Sequence, residues 1–249
     1  MTKLTTKDYW EDYYKKSITQ NSQIKLIASV YDDYWELLIK NNEVNPPETI
    51  IEIGGYPGRY LAYLADKYNL IPTSLDFNTD RIKIEESMEA FGIKEYEIIV
   101  ADFFEHEPNT KYDIVISNGF IEHFDNYHEV LNLHLKYLKK GGTLLVMIPN
   151  MTYYIKFYKL IVDKKNLSIH NLKCMNLKIF KEFAETNNLS ILKNEYFGGF
   201  PFSVHQKNNL VQKLVFKIHR LLFKFFLNKF IMKRPTKYLS QTIISIYKN

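Results

Sequence analysis

The sequence Ile50-Ile51-Glu52-Ile53-Gly54-Gly55-Tyr56-Pro57-Gly58 leads directly into a helical pattern from Arg59 to Lys67. Its first four residues are mostly apolar, which is typical of a short strand buried on both faces. The glycines mark a tight turn, because glycine permits backbone conformations and close approaches that side chains prevent. A strand that passes through glycines into a helix indicates the start of a βα unit.

The rest of the chain continues this alternation of strand and helix. Further strands are predicted at 70–75, 96–100, 112–117, 143–148, 189–197 and 239–247. Helices are predicted at 79–91, 127–139, 152–163, 176–187 and 209–232, after two aromatic-rich helices within 6–40. Short apolar strands between helices indicate a sheet covered on both faces. The sequence therefore predicts an α/β fold with a doubly wound, mostly parallel seven-stranded sheet, an N-terminal helical cap and a basic helix inserted before the last strand.

The composition limits the class of protein. Of the 249 residues, 46% are hydrophobic and 24% are charged, which is the balance of a globular domain rather than of a disordered chain. Cys174 is the lone cysteine, so an intrachain disulfide is excluded and a reducing compartment is expected. The N-terminus lacks the apolar segment of a secretory signal, and no apolar run reaches the roughly 18 residues of a spanning helix. We predict a cytoplasmic protein, either free or peripheral at the inner face of the membrane.

Basic charge is concentrated near the C-terminus. The net charge is +5, and ten Lys or Arg but no Asp or Glu follow Glu195. On a helix, the basic residues with spacings of four, three and four form one stripe; they are Lys213, Lys217, Arg220 and Lys224. Large apolar side chains cover the rest of 209–232, which favours binding at an anionic membrane surface. Alternatively, the apolar face of this helix packs against a second subunit of a homodimer or against the sheet of its own domain. Nucleic acid is not expected, because no nucleic-acid motif accompanies the bases.

Polar residues follow the predicted strands at the edge where ligands bind. The carboxyl ends of parallel strands share one edge of the sheet, and ligands bind in the crevice outside it. Glycines follow the first strand, Asp76 follows the second and Asp102 follows the third. These carboxylates are suited to accept hydrogen bonds from a ribose diol and from an exocyclic amine. Each feature alone is better explained by a turn or a solvated loop, but the three together indicate a nucleoside site.

The strand ends resemble those of the class I S-adenosylmethionine-dependent methyltransferases. The matching segments are Ile51 to Gly58, Leu75-Asp76-Phe77, Val100-Ala101-Asp102-Phe103, Tyr112 to Asn118 and Leu138 to Gly142. Ile121-Glu122-His123-Phe124 looks like the branch of this family that modifies small molecules and cell-envelope glycans. The resemblance is good over residues 48–150 and rests on pattern alone over 176–249. It implies a Rossmann-like methyltransferase fold with S-adenosyl-L-methionine as the cofactor.

The resemblance also implies which residues bind the adenosine end of the cofactor. Asp76 would bind the ribose hydroxyls, and Phe77 would lie beside the adenine. Asp102 would accept a hydrogen bond from the adenine amine, and Phe103 would pack near it.

The residues implied at the methionine end are Glu52, Gly54, Gly58 and Asn118. One departure from the family pattern lies among them, since Tyr56 occupies the place of the middle glycine. Gly55 would then supply the close approach of backbone to cofactor. A Tyr56 ring that pointed inward would narrow the pocket.

Two histidines are candidates for the base that a hydroxyl acceptor needs. His123 follows the fourth strand at the mouth of the predicted pocket, and an imidazole suits proton transfer near neutral pH. It would serve equally well to cap the next helix or to pack against the cofactor. His205 is the weaker candidate. The cluster Glu105-His106-Glu107 lacks the ligand spacing of a metal site, so no metal is predicted.

We predict a methyltransferase that modifies oxygen on a small-molecule or glycan acceptor, with a lipid-linked sugar as one option. One domain would span 1–249, with a cap or lid at 1–45, a cofactor-binding core at 46–150 and an acceptor-side half at 151–249. The alternatives are an NAD(P)-dependent oxidoreductase or epimerase and a non-catalytic membrane- or partner-binding module. The oxidoreductase is disfavoured because the loop lacks the Gly-x-Gly-x-x-Gly spacing.

Overall fold

The structure is a computed structural model that describes residues 4–6, 9, 10, 13 and 19–249. Within these residues lies a mixed seven-stranded sheet with the order β3-β2-β1-β4-β5-β7-β6. Its strands are β1 Thr49–Ile53, β2 Ile71–Asp76, β3 Glu97–Val100, β4 Tyr112–Asn118, β5 Leu138–Pro149, β6 Ser190–Phe197 and β7 Thr242–Lys248. β7 is antiparallel to both of its neighbours, and the other pairs are parallel. The predicted doubly wound, mostly parallel sheet is confirmed.

Helices cover both faces of the sheet. They are α1 Asn21–Ala28, α2 Asp32–Asn41, α3 Arg59–Tyr68, α4 Ile82–Glu89, α5 Tyr127–His134, α6 Tyr153–Val162, α7 Lys164–Ser168, α8 Leu177–Thr186, α9 Leu210–Leu222 and α10 Asn228–Lys233. Short 3-10 turns lie at Ser29–Tyr31, Ile121–His123 and Leu172–Cys174, and a π turn at Phe223–Leu227 joins α9 to α10.

The alternation of side chains along β1 divides the core into two layers. Ile50 belongs to the layer that includes α1 to α4, with Trp35 and Leu61 among its fully buried members. Ile51 belongs to the opposite layer, which includes α5 and α8. Successive side chains of a strand point to opposite faces. A strand that is apolar at successive positions is therefore buried on both faces, as the sequence predicts.

α1 packs against α3, and α2 packs against β5 and β7, so both helices belong to the layer on one face of the sheet. The cap or lid at 1–45 stays a prediction. The predicted end of α5 differs from the structure. The helix predicted at 127–139 ends at His134, because Leu138 already pairs with Tyr112 in the sheet. The glycines expected to stop that helix lie inside β5, where the register shifts between Tyr112 and Ile114.

The basic helical segment lies between β6 and β7, as predicted. Asn209 and Gln212 form a reciprocal capping box at its start, which satisfies backbone groups that a helix N-terminus leaves unpaired. Phe223 and Ile231 pack in a third hydrophobic cluster with Tyr158 of α6, so one side of the segment is anchored to the domain. None of the helices in the described part of the chain is both long and apolar enough to cross a bilayer.

Candidate active site

The carboxyl ends of β1 to β4 surround a cavity of about 220 Å³, called the first cavity below. The strand order reverses between β1 and β4, which is the point where open α/β sheets bind their ligands. The predicted site residues that line it are Gly54, Asp76, Phe77, Asp102, Phe103 and His123. The structure thus brings the two carboxylates and their aromatic neighbours together at one site.

The Asp76 carboxylate is fixed by backbone donors from two segments. Its Oδ1 accepts from the Asn78 amide at 2.8 Å, and its Oδ2 accepts from the Tyr56 amide at 3.2 Å. Burial raises the pKa of Asp76, and these backbone hydrogen bonds oppose the rise. The carboxylate therefore ties the loop after β1 to the end of β2 and holds its oxygens in a fixed orientation at the cavity wall.

Backbone geometry explains two of the glycines in the loop after β1. Gly54 has φ +68°, and a Cβ there would lie 2.5 Å from Cδ2 of Phe120. Both facts exclude a side chain, because a left-handed backbone disfavours Cβ and Phe120 forms part of the cavity wall. Gly55 packs differently, since a Cβ would lie 2.5 Å from the Ser74 hydroxyl and 2.9 Å from the Glu52 carbonyl oxygen. Gly55 thus fits the loop against β2 and does not line the first cavity.

The Tyr56 ring leaves the first cavity open. It is buried among the helices of the α1–α4 layer, and its hydroxyl donates to Asp80 Oδ2 at 3.1 Å. Its backbone amide donates to Asp76 Oδ2 at the site. The narrowing that an inward ring would cause is therefore absent at the described residues, and the side chain joins the loop to the segment that follows β2.

Glu52 lies beneath the loop rather than on the cavity wall. It is buried, and its Oε2 has no hydrogen-bond partner within the described residues. Burial raises the pKa of Glu52 to about 8, although the charge of Arg59 opposes the rise. Gly58, with φ +79°, starts α3 above it. The role of Glu52 and Gly58 at the methionine end of a cofactor stays a prediction.

The far end of the first cavity is aromatic. Asp102 Oδ1 accepts from the Phe104 amide at 3.1 Å. The Phe103 ring stacks on Tyr137 with centroids 5.7 Å apart and meets the Phe120 ring edge-on at 5.4 Å. A planar heterocycle fits such a surface, with Asp102 beside it to accept from an amine.

A second cavity of about 290 Å³ begins at the end of β4. Asn118 lines it together with Tyr31, Asn150 and Lys159. The site residues predicted for the cofactor are thus divided, with Asn118 facing the second cavity and the adenosine-end residues facing the first.

His123 lines the first cavity in a buried setting. Its Nδ1 lies 2.9 Å from the Ile169 carbonyl oxygen, which only accepts, so Nδ1 carries the proton and Nε2 the lone pair. Burial lowers its pKa to about 3, and the nearby His170 contributes in the same direction. The Trp10 ring packs edge-on against it with centroids 4.8 Å apart. A general-base role for His123 stays a prediction, and so weak a base is poorly suited to it.

Sequence reasoning missed a buried ion network beside the second cavity. Lys159 Nζ lies 2.9 Å from Asp163 Oδ2, and both side chains are almost fully buried. His205 Nδ1 lies 3.0 Å from the same oxygen, and its amide donates to Oδ1 at 2.9 Å. The i, i+4 spacing of Lys159 on α6 and Asp163 at its C-cap was a visible signal, but the contact of Asp163 with His205 joins segments that are distant in the sequence.

The N-terminal segment contributes to the first cavity. Thr5, Thr6 and Trp10 line it, and Leu4 donates from its amide to the His123 carbonyl oxygen at 2.9 Å. Tyr9, Trp10 and Tyr13 are helical, whereas the remainder of the first predicted helix, Tyr14 included, lies outside the described residues. A lid that excludes water from the site stays a prediction for this segment.

Comparison with known proteins identifies similar sequences and folds. A family model described as a methyltransferase domain matches residues 27–189. A curated relative, the probable (S)-tetrahydroprotoberberine N-methyltransferase 2 of Papaver bracteatum, is 28% identical over 93 residues, which cover 36% of this chain. Those residues are 26% of the relative, so the chain spans about a quarter of the length of the curated protein it matches.

Two solved structures show the same fold at low sequence identity. A SAM-dependent methyltransferase from Archaeoglobus fulgidus has a TM-score of 0.60 and 20% identity, with coverage of 98% of this chain and 100% of that one. Coclaurine N-methyltransferase bound to N-methylheliamine and SAH has a TM-score of 0.56 and 15% identity, with coverage of 89% and 71%.

Proposed function

Because the chain belongs to the methyltransferase domain family, we propose that it transfers the methyl group of S-adenosylmethionine to a small-molecule acceptor held in the second cavity. Family membership supports the predicted class of enzyme and its cofactor. The observation that supports this activity best is the pair of carboxylates, Asp76 and Asp102, on the wall of one cavity at the strand-order reversal. An adenosine has donors for both acids.

Each of the predicted site residues would contact a different part of the cofactor. Asp76 binds the ribose hydroxyls, and Asp102 accepts from the adenine amine. Phe77 and Phe103 line the adenine region. The methionine end would lie toward Gly54 and the end of β4, where Gly119 lines the first cavity and Asn118 the second.

Calorimetry with S-adenosylhomocysteine tests this proposal. We expect saturable binding to the native chain and no comparable binding of NAD. Asp66→Ala, an exposed position on α3, is the control for Asp76→Ala, and only the latter should lose affinity. Binding of NAD without S-adenosylhomocysteine would instead favour the oxidoreductase alternative, and binding of neither would favour a non-catalytic module.

The cofactor supplies a methyl group already activated by its sulfonium, so the protein mainly aligns the acceptor. Alignment in line with the breaking carbon–sulfur bond is worth several kcal/mol, about 7–11 in well-oriented intramolecular systems. The acceptor oxygen would form a bond to the methyl carbon as the carbon–sulfur bond breaks, the electron pair of that bond would return to sulfur to leave S-adenosylhomocysteine, and the acceptor would lose its proton to a base.

His205 is the second candidate to take that proton, because it has the hydrogen-bond arrangement of a base although it lies outside the residues that line the two cavities. Asp163 accepts from Nδ1 of His205, which leaves Nε2 as the proton acceptor, the arrangement of a His–Asp pair. A positioned base contributes about 10²–10⁴-fold to the rate. We expect His205→Ala to lower kcat by that order with cofactor affinity preserved. If His205→Ala turned over normally and His123→Ala did not, the base would be His123.

We assign the basic helical segment to an anionic membrane surface, which favours a lipid-linked glycan as the acceptor. The inner side of α9 is anchored, since Gln212 donates to the Ile161 carbonyl oxygen at 2.8 Å. The outer side of the basic helical segment exposes large apolar residues, with Leu214 59% and Ile218 54% accessible on α9 and Phe225 64% accessible on the π turn that follows it. Exposed apolar side chains beside a basic stripe are the features of an interfacial helix.

Flotation with vesicles that contain anionic lipid tests the membrane surface. Each base contributes about 1 kcal/mol at such a surface, so Lys213→Glu with Lys217→Glu should weaken binding by more than tenfold. The matched control is Lys178→Glu with Lys181→Glu on α8, which should bind as the native chain does. A different outcome would assign the surface to a second copy of the chain. In that case the native chain would not bind vesicles but would dimerise, and Lys213→Glu with Lys217→Glu would abolish the dimer.

A nitrogen acceptor is the second candidate, because the curated relative is named as an N-methyltransferase. Methyl incorporation from labelled cofactor into amines and into lipid-linked sugars distinguishes the two. A neutral amine attacks through its nitrogen lone pair and loses its proton only after the new bond has formed, so His205→Ala should affect its methylation much less.

A further inference from the structure

Three potential ligand side chains converge beside the first cavity, outside the roles assigned above. Glu122, His123 and His170 each place a ligand atom within 4.8 Å of the other two. Glu122 and His123 lie on the 3-10 turn Ile121–His123 after β4, and His170 lies in the loop after α7. The cluster therefore joins the strand end to the acceptor-side half of the chain.

The Glu122 carboxyl is buried without a hydrogen-bond partner among the described residues. It is 1% exposed, and neither of its oxygens has a hydrogen-bond partner among the residues that the structure describes. Burial of a carboxylate is costly unless it is paired, hydrogen-bonded or bound to a metal. A cation between Glu122 and the two imidazoles would pair with the buried carboxylate, which has no hydrogen-bond partner among the described residues.

The two imidazoles are oriented as metal ligands are. His123 Nδ1 lies 2.9 Å from the Ile169 carbonyl oxygen, and His170 Nδ1 lies 2.6 Å from the Asn166 carbonyl oxygen. Each Nδ1 thus carries its proton, and each Nε2 keeps its lone pair. A carbonyl partner on the non-ligating nitrogen is the usual outer contact of metal-bound histidine.

The backbone around the cluster holds the ligands together. The Asn171 amide donates to the Glu122 carbonyl oxygen at 2.7 Å, and its side chain donates to the Phe124 carbonyl oxygen at 3.0 Å. His123 Nε2 is 3.8 Å from Glu122 Oε1. In a tetrahedral zinc site with bonds of about 2.1 Å, ligand atoms lie about 3.4 Å apart, so small side-chain movements suffice to close the site.

We propose that Glu122, His123 and His170 bind one divalent transition-metal ion, with zinc as the ion that this donor set fits. One carboxylate and two imidazoles form an established zinc ligand set and are softer than the all-oxygen sets of magnesium and calcium. Three protein ligands leave a position open for water or for an acceptor atom. A metal on Nε2 of His123 occupies its lone pair, so this site and a general-base role for His123 exclude each other.

Calorimetry of the chelator-treated full chain with Zn²⁺, and visible absorption of its Co²⁺ form, test the site. We expect one equivalent of tightly bound zinc and the absorption bands of four-coordinate cobalt. Glu122→Gln and His170→Ala should each weaken zinc binding by more than the roughly 10–100-fold that loss of an outer-shell partner costs. His128→Ala, an exposed histidine on α5, should bind as the native chain does.

Two outcomes would overturn the proposal. One is no zinc binding by the native chain, and the other is equal binding by the native chain, Glu122→Gln and His170→Ala, which would place the metal elsewhere. Circular dichroism and S-adenosylhomocysteine binding by the same samples report whether a variant is folded. Because cofactor binding is a separate measurement, failure of the metal site and failure of the proposed methyltransferase function are distinguishable.

Discussion

Replacement of Gly54 by alanine should impair cofactor binding more than it impairs folding. The added Cβ would lie 2.5 Å from Cδ2 of Phe120, whereas carbon atoms in contact are about 3.5–4.0 Å apart. The ring must therefore move by about 1 Å. Phe120 packs between Phe103 and Phe124 on the wall of the first cavity, so any movement alters the surface that receives the cofactor.

Gly92 provides a matched control for the backbone effect. Its φ is +71°, close to the +68° of Gly54, but nothing lies within 4 Å of a Cβ placed there. A left-handed backbone costs a non-glycine residue about 1–2 kcal/mol, which both alanine variants should lose. Gly54→Ala should lose a further amount of about 1–3 kcal/mol, the typical cost of overpacking.

Urea unfolding and calorimetry with S-adenosylhomocysteine measure the two effects. We expect Gly92→Ala to bind the ligand as the native chain does, and Gly54→Ala to bind at least tenfold more weakly. In the Gly54→Ala background, Phe120→Ala should restore part of the affinity because it removes the ring atoms that collide. Equal stability losses in the two glycine variants, with unchanged ligand affinity in both, would refute the reasoning.

Three further predictions concern charged side chains. Asp76→Asn should weaken S-adenosylhomocysteine binding by about 10–100-fold in calorimetry, since hydrogen bonds to a charged group are worth about 1.5–3 kcal/mol. Unchanged affinity would show that Asp76 does not touch the ligand. In the cofactor-free chain, Glu52 has its pKa raised from 4.5 to about 8, so its contribution to stability is full below pH 4.5 and is lost as the pH rises toward 8. Urea unfolding should therefore show Glu52→Gln gaining stability relative to the native chain between these pH values, and a stability difference that is constant with pH would contradict the raised pKa of Glu52. Asp163→Asn leaves the buried Lys159 without its counter-ion and should cost about 3–5 kcal/mol of unfolding free energy, whereas exposed Asp66→Asn should cost almost nothing.

Local sequence signals were sufficient for the sheet and for the adenosine end of the site. Apolar strands that end in glycine or aspartate place Asp76 and Asp102 at one edge, and the structure puts both on the first cavity. The end of α5 was wrong because glycine is ambiguous between a helix stop and a bulge inside a strand. Only the pairing of Leu138 with Tyr112 resolves it.

Contacts between distant segments could not be read from the sequence. His170 reaches Glu122 across almost fifty residues, and the loops that join them have no periodic pattern. His205 meets Asp163 in the same way. The direction of the Tyr56 ring likewise depends on Asp80 and on the helices that enclose it, which no pattern within the loop reveals.

The position of β7 has a consequence for synthesis of the protein. β7 is formed by Thr242–Lys248, yet it lies between β5 and β6, and β6 is joined to the sheet through β7. A nascent chain that has already exposed Ser190–Phe197 cannot add this strand to the sheet until β7 leaves the ribosome. Until then the strand edge is unpaired and prone to aggregate, and a stop codon before Thr242 would leave it permanently so.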